Sequence, residues 1–320
     1  MKLIRIGAIV LISLVLSSCS VDIGKDPVEP AVQQQDSVEI TPATQEIPAH
    51  QNLLKTYAER SVLDANEGMT IDVPEVGLYG LVVRRKEKGY LTSSSSFPTA
   101  VYILGDYRYD RSACHDSYLA VEVEGKVLFF DFKNNCDDDL LYLCDVDGDG
   151  LDEIVVQQVF APSGGAGSYE SHVFKVVDDD ICEIFDSLIV DPSDNSWSYF
   201  DTGFSGVQQD GFKEVISNKM TGYEITLDYS SESRYRGRIF DDNGKVIEGF
   251  DIHCGSFYQF IPEDIDGDGI YEIVCLQYVS ITDETDWIGD AKSILKFNPD
   301  SQRFEVVQAE FIPRKQAAMD

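Results

Sequence analysis

Basic residues are scarce: 25 Lys and Arg stand against 57 Asp and Glu, a formal charge of -32. An excess of that size repels phosphate backbones and anionic lipid surfaces, which excludes nucleic acid as a partner and favours cations. Catalytic signatures are missing as well. There is no G-x-S-x-G, H-E-x-x-H or G-x-x-x-x-G-K-[ST], and Gly164-Gly165-Ala166-Gly167 has no lysine with which to cradle a phosphate. The four histidines, His50, His115, His172 and His253, are isolated from one another, and structural or surface roles are expected of them. With 24 Gly and 11 Pro in 320 residues the chain is neither collagen-like nor generally disordered, and its 43% of apolar residues suffices for a sizeable core.

What is present begins at the N-terminus. Met1, Lys2 and Arg5 make a basic start, residues 6–16 are apolar, and Leu16-Ser17-Ser18-Cys19 closes the run with small residues before a cysteine. The apolar stretch is well short of the roughly 20 residues that a helix needs to cross a bilayer, so it reads as a secretory signal. These residues resemble the lipobox of bacterial lipoproteins. The resemblance implies removal of residues 1–18 and a lipid on Cys19, hence a membrane partner through that lipid and a location in the cell envelope outside the cytoplasm. Residues 19–50 carry Pro27, Pro30, Pro42 and Pro48 and a Gln33-Gln34-Gln35 tract without hydrophobic periodicity, and they read as an extended tether. Residues 51–65 read as a short helix, with Leu53, Leu54, Tyr57, Val62 and Leu63 at helical spacing.

Beyond about residue 70 the pattern is one of short alternating strands, and an all-β body is predicted over 51–320. Hairpins are expected at 117–132 turning through Glu124-Gly125, at 172–185 turning through Asp178-Asp179-Asp180, at 236–252 around Asn243-Gly244, and at 293–307 through Pro299-Asp300. A self-similar segment organises these strands. Leu143 to Val156, containing Asp145-Val146-Asp147-Gly148-Asp149-Gly150, recurs 119 positions later from Pro262 to Cys275. A weaker copy begins at Asp210-Gly211, with Gly206 and Gln208 where the first two carboxylates would stand, and an eroded one lies at Val76-Gly77. The period of about 60 residues gives roughly four units of four strands, the content of propeller blades.

The repeated loop has the chemistry of a hard-cation site. Calcium takes six to eight oxygens at about 2.3 to 2.6 Å, which needs alternate residues of a curled loop to face inward. Asp145, Asp147, Asp149, the carbonyl of Leu151 and Glu153 form one set; Asp264, Asp266, Asp268, the carbonyl of Ile270 and Glu272 form the other. An EF-hand is excluded, because its twelfth-position Glu is here Val156 and Cys275. At these residues the chain resembles the calcium loops of FG-GAP and VCBS repeat proteins, as found in integrin heads and bacterial surface proteins. The resemblance implies two structural calcium ions, a β-propeller and recognition of an extracellular protein or glycan, as in adhesion. A second class stays open: an envelope hydrolase or lyase acting on carbohydrate through paired carboxylates, with calcium in a structural role. Cys114 and Cys136 flank the Glu124-Gly125 hairpin and are placed to bridge in an oxidising compartment. Tyr102, Tyr107 and Tyr109 lie near Arg108 and Arg111, either as a ligand platform or, by strand alternation, as core.

Overall fold

A computed structural model describes residues 63 and 65–314, apart from 108–113, 115, 133–137, 161–167, 179, 192, 195 and 283–285. The expected signal, lipidated Cys19 and tether lie outside the described residues, as does nearly all of the expected helix over 51–65. Of that stretch Leu63 and Ala65 are described; neither is helical, and both are buried against the first sheet.

The described body is all-β. Among the described residues there is no α-helix, only single 3-10 turns at Pro74–Val76 and Ser233–Tyr235. The strands form antiparallel meanders in chain order. The first sheet holds β1 (Thr70–Val73), β2 (Leu78–Gly89), β3 (Thr99–Asp106), β4 (Asp116–Val123) and β5 (Lys126–Asp131); the second holds β6 (Asp138–Cys144), β7 (Glu153–Phe160), β8 (Ser168–Val177) and β9 (Asp180–Asp186). A two-stranded ribbon, β10 (Leu188–Val190) and β11 (Trp197–Tyr199), precedes a three-stranded third sheet of β12 (Phe204–Gln209), β13 (Lys213–Asn218) and β14 (Glu224–Asp228). The fourth sheet comprises β15 (His253–Glu263), β16 (Glu272–Ser280), β17 (Trp287–Asn298) and β18 (Arg303–Pro313).

Alternation gives each central strand two buried faces. On β4, Leu119, Val121 and Val123 face the second sheet, whereas Tyr118 and Ala120 face the core that covers the other side of the first sheet. On β7, Ile154 and Val156 face the first sheet while Val155 faces the fourth. The fourth sheet in turn buries Val279, Ile288, Ala291 and Phe311 against Ile216 and the segment carrying Tyr229, Tyr235, Ile239 and Phe240. The packing order is therefore first, second, fourth, third, which differs from chain order. The units are also unequal, with five, four, three and four strands in place of four times four. The repeat assignment itself matches the topology: all four copies of the motif fall in the connection between the first and second strands of a sheet.

Three expected hairpins are present, with register Val123↔Lys126, Val177↔Asp180 and Asn298↔Arg303. Glu124 and Gly125 take φ of 47° and 81°, the paired left-handed geometry of a two-residue hairpin turn. The hairpin expected over 236–252 does not form. Its turn is there, with Asp241 Oδ1 accepting the N–H groups of Asn243 and Lys245, but the flanks make only isolated bridges. Ile239 and Phe240 are adjacent and both buried in the same core, whereas a strand would send neighbours to opposite faces. Tyr102 is core, 1% exposed with its hydroxyl donating to Glu122 at 3.0 Å, so it is no part of an exposed platform. Cys136 lies outside the described residues; Cys114 is buried, its Sγ 3.1 Å from the Asp116 carbonyl. Cys144 and Cys275 are buried thiols in the core between the second and fourth sheets.

Candidate metal centre

The two acidic loops close at identical places. Cys144 pairs with Glu153 across the first loop and Glu263 with Glu272 across the second, so each nine-residue motif ends as the second strand of its sheet begins. Inside the first loop, Asp145 accepts the N–H of Gly148 (2.7 Å) and of Gly150 (2.8 Å), Asp147 that of Asp149 (3.1 Å) and Asp149 that of Leu151 (2.9 Å). In the second, Asp264 accepts from Gly267 and Gly269, Asp266 from Asp268 and Asp268 from Ile270, at 2.8, 3.3, 3.2 and 2.8 Å. Side-chain oxygens thus curl the backbone that carries them, which explains the strict alternation of aspartates.

Carboxylate oxygens of Asp145, Asp147 and Glu153 lie within 4.8 Å of one another, and so do those of Asp264, Asp266 and Asp268. Glu153 is fully buried. Its Oε2 accepts the Val146 N–H at 2.9 Å, while Oε1 has no hydrogen-bond partner. Burial, reinforced by the charges of Asp147 and Asp149 and opposed by the Val146 N–H and Lys175, pushes its carboxyl up to about 7. Glu272 accepts from the Ile265 N–H at 3.3 Å and from Lys296 Nζ at 2.5 Å. Leu151 and Ile270 are both half-buried at the seventh positions.

The loops also touch each other. The Tyr271 N–H donates to the Asp145 carbonyl at 2.8 Å, and Gly148, at φ 80°, lies under Ile270, whose Cδ1 would stand 2.8 Å from any Cβ placed there. On the opposite side, Asp152 Oδ2 accepts the Tyr90 N–H at 2.7 Å and the Asp152 N–H returns to the Tyr90 carbonyl at 2.8 Å. The first loop therefore ties the end of β2 to the second loop.

The third copy shows what replaces the carboxylates. Glu214 occupies the place of Glu153 and is equally buried, but Gln208 Nε2 and the Tyr229 hydroxyl each donate to it at 2.6 Å. Its oxygens are satisfied by side chains, in agreement with the loss of the acidic ring.

Two residues escaped the sequence reading. Lys175 on β8 and Lys296 on β17 reach over the loops from the third strand of each sheet. Lys175 Nζ bonds Asp147, stands 2.8 Å from Asp149 Oδ2 and is 3.6 Å from Glu153 Oε1. Burial would lower its pKa, but the hydrogen bonds to Asp147 and Asp149 and the charges of Glu153 and Asp147 raise it. In the sequence each is marked only as a lysine flanked by apolar residues, Phe174-Lys175-Val176 and Leu295-Lys296-Phe297, with nothing local to name its partner.

A second polar cluster surrounds His172, 5% exposed on β8. Its Nδ1 is 2.7 Å from Glu183 Oε1 and 3.8 Å from Asp186 Oδ1, its Nε2 is 3.9 Å from Glu170, and its ring stacks on Phe174. Burial opposes the charged ring, yet the Glu183 hydrogen bond and the charges of Asp186, Glu183 and Glu170 prevail and raise it from 6.5 to about 9. Because the folded value is the higher one, the stabilisation is complete below pH 6.5 and is lost as the pH climbs through about 9. Urea titrations between pH 6 and 9.5 should show stability falling by on the order of 1 to 2 kcal/mol for this reason. His172→Gln should flatten that slope, and an unchanged slope would show that other groups cause it.

A family model matches the second half of this architecture. Residues 202–312, which span the third and fourth sheets, match the model of a family described as the YybI C-terminal domain. The chain is also similar to the uncharacterized protein YybI of Bacillus subtilis (strain 168), with 26% identity over 168 residues. That alignment covers 51% of this chain and 58% of the relative, so the chain spans less than two thirds of the relative's length. No solved structure matches. The family match includes the second acidic loop and stops short of the first.

Proposed function

We propose that this chain is a calcium-stiffened binding module of FG-GAP/VCBS type, held outside the cytoplasm by a lipid on Cys19 and directed at an extracellular protein or glycan. The observation that carries the metal is Glu153 Oε1, fully buried, without a hydrogen-bond partner, and grouped with the oxygens of Asp145 and Asp147. A buried carboxylate oxygen that accepts no hydrogen bond is costly, its cationic neighbour Lys175 Nζ standing 3.6 Å away, and a divalent cation would coordinate it directly. In this reading Asp145, Asp147, Asp149, Glu153 and the Leu151 carbonyl hold one ion, and Asp264, Asp266, Asp268, Glu272 and the Ile270 carbonyl hold the other. Ligands drawn from the chain itself make the ions structural: they offset carboxylate repulsion worth about 1 kcal/mol per close pair even in water.

Support for a propeller ancestry is confined to the unit. Meandering sheets repeat the loop between their first two strands, as blades would, while the unequal strand counts and the packing order argue for a stack over a closed ring. The lipid anchor rests on the Leu16-Ser17-Ser18-Cys19 resemblance. A ligand-sized cleft of about 430 Å³ supports the binding role. It is lined by Trp197, Tyr199, Asp201 and His253 among others; the indole is 62% exposed and meets Tyr199 edge to face at 5.5 Å. Exposed aromatic faces beside polar groups suit both sugar rings and peptides.

Calcium titration of the full chain tests the central claim. With affinities of about 0.1 to 1 mM, as in extracellular modules, a tenfold excess should stabilise each site by roughly 1.4 kcal/mol. Thermal melts should rise by several degrees, and Asp147→Ala and Asp266→Ala should each remove about half of the gain. A parent protein whose melting is indifferent to millimolar calcium sinks the reading.

A further inference from the structure

Lys175 and Lys296 stand at matching positions. Phe174 faces Ile154 across β7 and β8, Leu295 faces Ile273 across β16 and β17, and the lysine follows in each case. We propose that these two lysines are tethered counter-cations that compete with a divalent ion for the acidic loops, so that calcium enters only as the ammonium leaves. This rests on the calcium reading above and names what regulates those sites.

The geometry is one of shared oxygens. Lys175 Nζ engages Asp147 Oδ2 and Asp149 Oδ2 and lies 3.6 Å from Glu153 Oε1, three of the carboxylates that would ligate the ion. An ion 2.3 to 2.6 Å from those oxygens and an ammonium bonded to them would occupy the same space with charges of one sign. Glu153 Oε1 shows that the ammonium does not complete the ring: fully buried, it accepts no hydrogen bond from the lysine. Lysine is suited to yield, as a compact charge on a flexible four-carbon stem with no bidentate fork to hold it. Partial exposure, 21% for the Lys175 side chain and 37% for Lys296, gives each a path to solvent. The grips differ. Lys175 is held by two loop aspartates, whereas Lys296 bonds Glu272 at 2.5 Å and is 3.8 Å from Asp266. Competition should therefore be stronger at the first loop.

Calorimetric calcium titration of the full chain, in an Asp266→Ala background that isolates the first loop, compares the parent with Lys175→Met. Removal of the ammonium should tighten calcium binding about tenfold, the equivalent of 1.4 kcal/mol, and should lower the melting temperature without metal. Lys296→Met in an Asp147→Ala background should show a smaller gain of the same sign, and it keeps the test available if Lys175→Met fails to fold. Binding by the variant alone, with none by the parent, would also support competition. Equal affinities in parent and variants would overturn it while leaving the calcium reading intact. No calcium binding by any of these proteins would overturn both.

Discussion

Phe185→Ala should lower the melting temperature by roughly 10 °C. Phe185, at the end of β9, is the hinge pin of the core between the second and fourth sheets. Its ring meets Phe200, Phe260, Phe304 and Phe257 with centroids 5.2, 5.3, 5.4 and 6.5 Å away, and it is only 6% exposed. Truncating a buried phenylalanine costs about 3 to 5 kcal/mol, through lost transfer energy and the cavity left behind. In a body of this size each kcal/mol moves the midpoint by about 2 to 4 °C. Because the neighbours come from the segment after β11, from β15 and from β18, the strands of the fourth sheet limit collapse into the void. Calorimetric melting of the variant decides the matter, and a loss under about 1 kcal/mol would mean that the two sheets are not packed as described.

The second large effect is expected at Gly148. Its φ of 80° is in the left-handed region, and a Cβ would approach Ile270 Cδ1 to 2.8 Å. Gly150, at φ 83°, has nothing within 4 Å of an added Cβ. Gly150→Ala should therefore cost about 1 kcal/mol of backbone strain alone, whereas Gly148→Ala should cost about 3 kcal/mol, since it also pushes one loop off the other. The pair of variants separates local strain from the contact between loops. If the two glycines prove equally costly in urea titration, the abutment of the loops through Ile270 contributes nothing to stability.

Much of the strand pattern was legible because it is local. Alternation, together with turn residues such as Glu124-Gly125, located hairpins at three of four expected places. It failed over 236–252, where adjacent Ile239 and Phe240 both turn into a core assembled from distant segments. A turn sequence announces a reversal; it does not say whether its flanks will find partners. The loops were legible for the same reason, since Asp145 and Asp264 shape their own backbones through bonds three and five residues away. Lys175 and Lys296 were not: their partners are 26 and 28 residues distant for Lys175 and 24 and 30 for Lys296, and only strand register brings them there.

By itself the amino-acid order determined the all-β character, the motif repeated 119 positions apart and the inward curl of its aspartates, all of which depend on hydrogen bonds and side-chain alternation within short stretches. Tertiary structure alone decided that the fourth sheet inserts between the second and the third, that the two loops touch through Tyr271 and Asp145, and that a lysine leans over each ring of carboxylates. Those outcomes follow from how apolar faces find one another across long separations, and many packings satisfy the same alternating pattern until side-chain shapes select one.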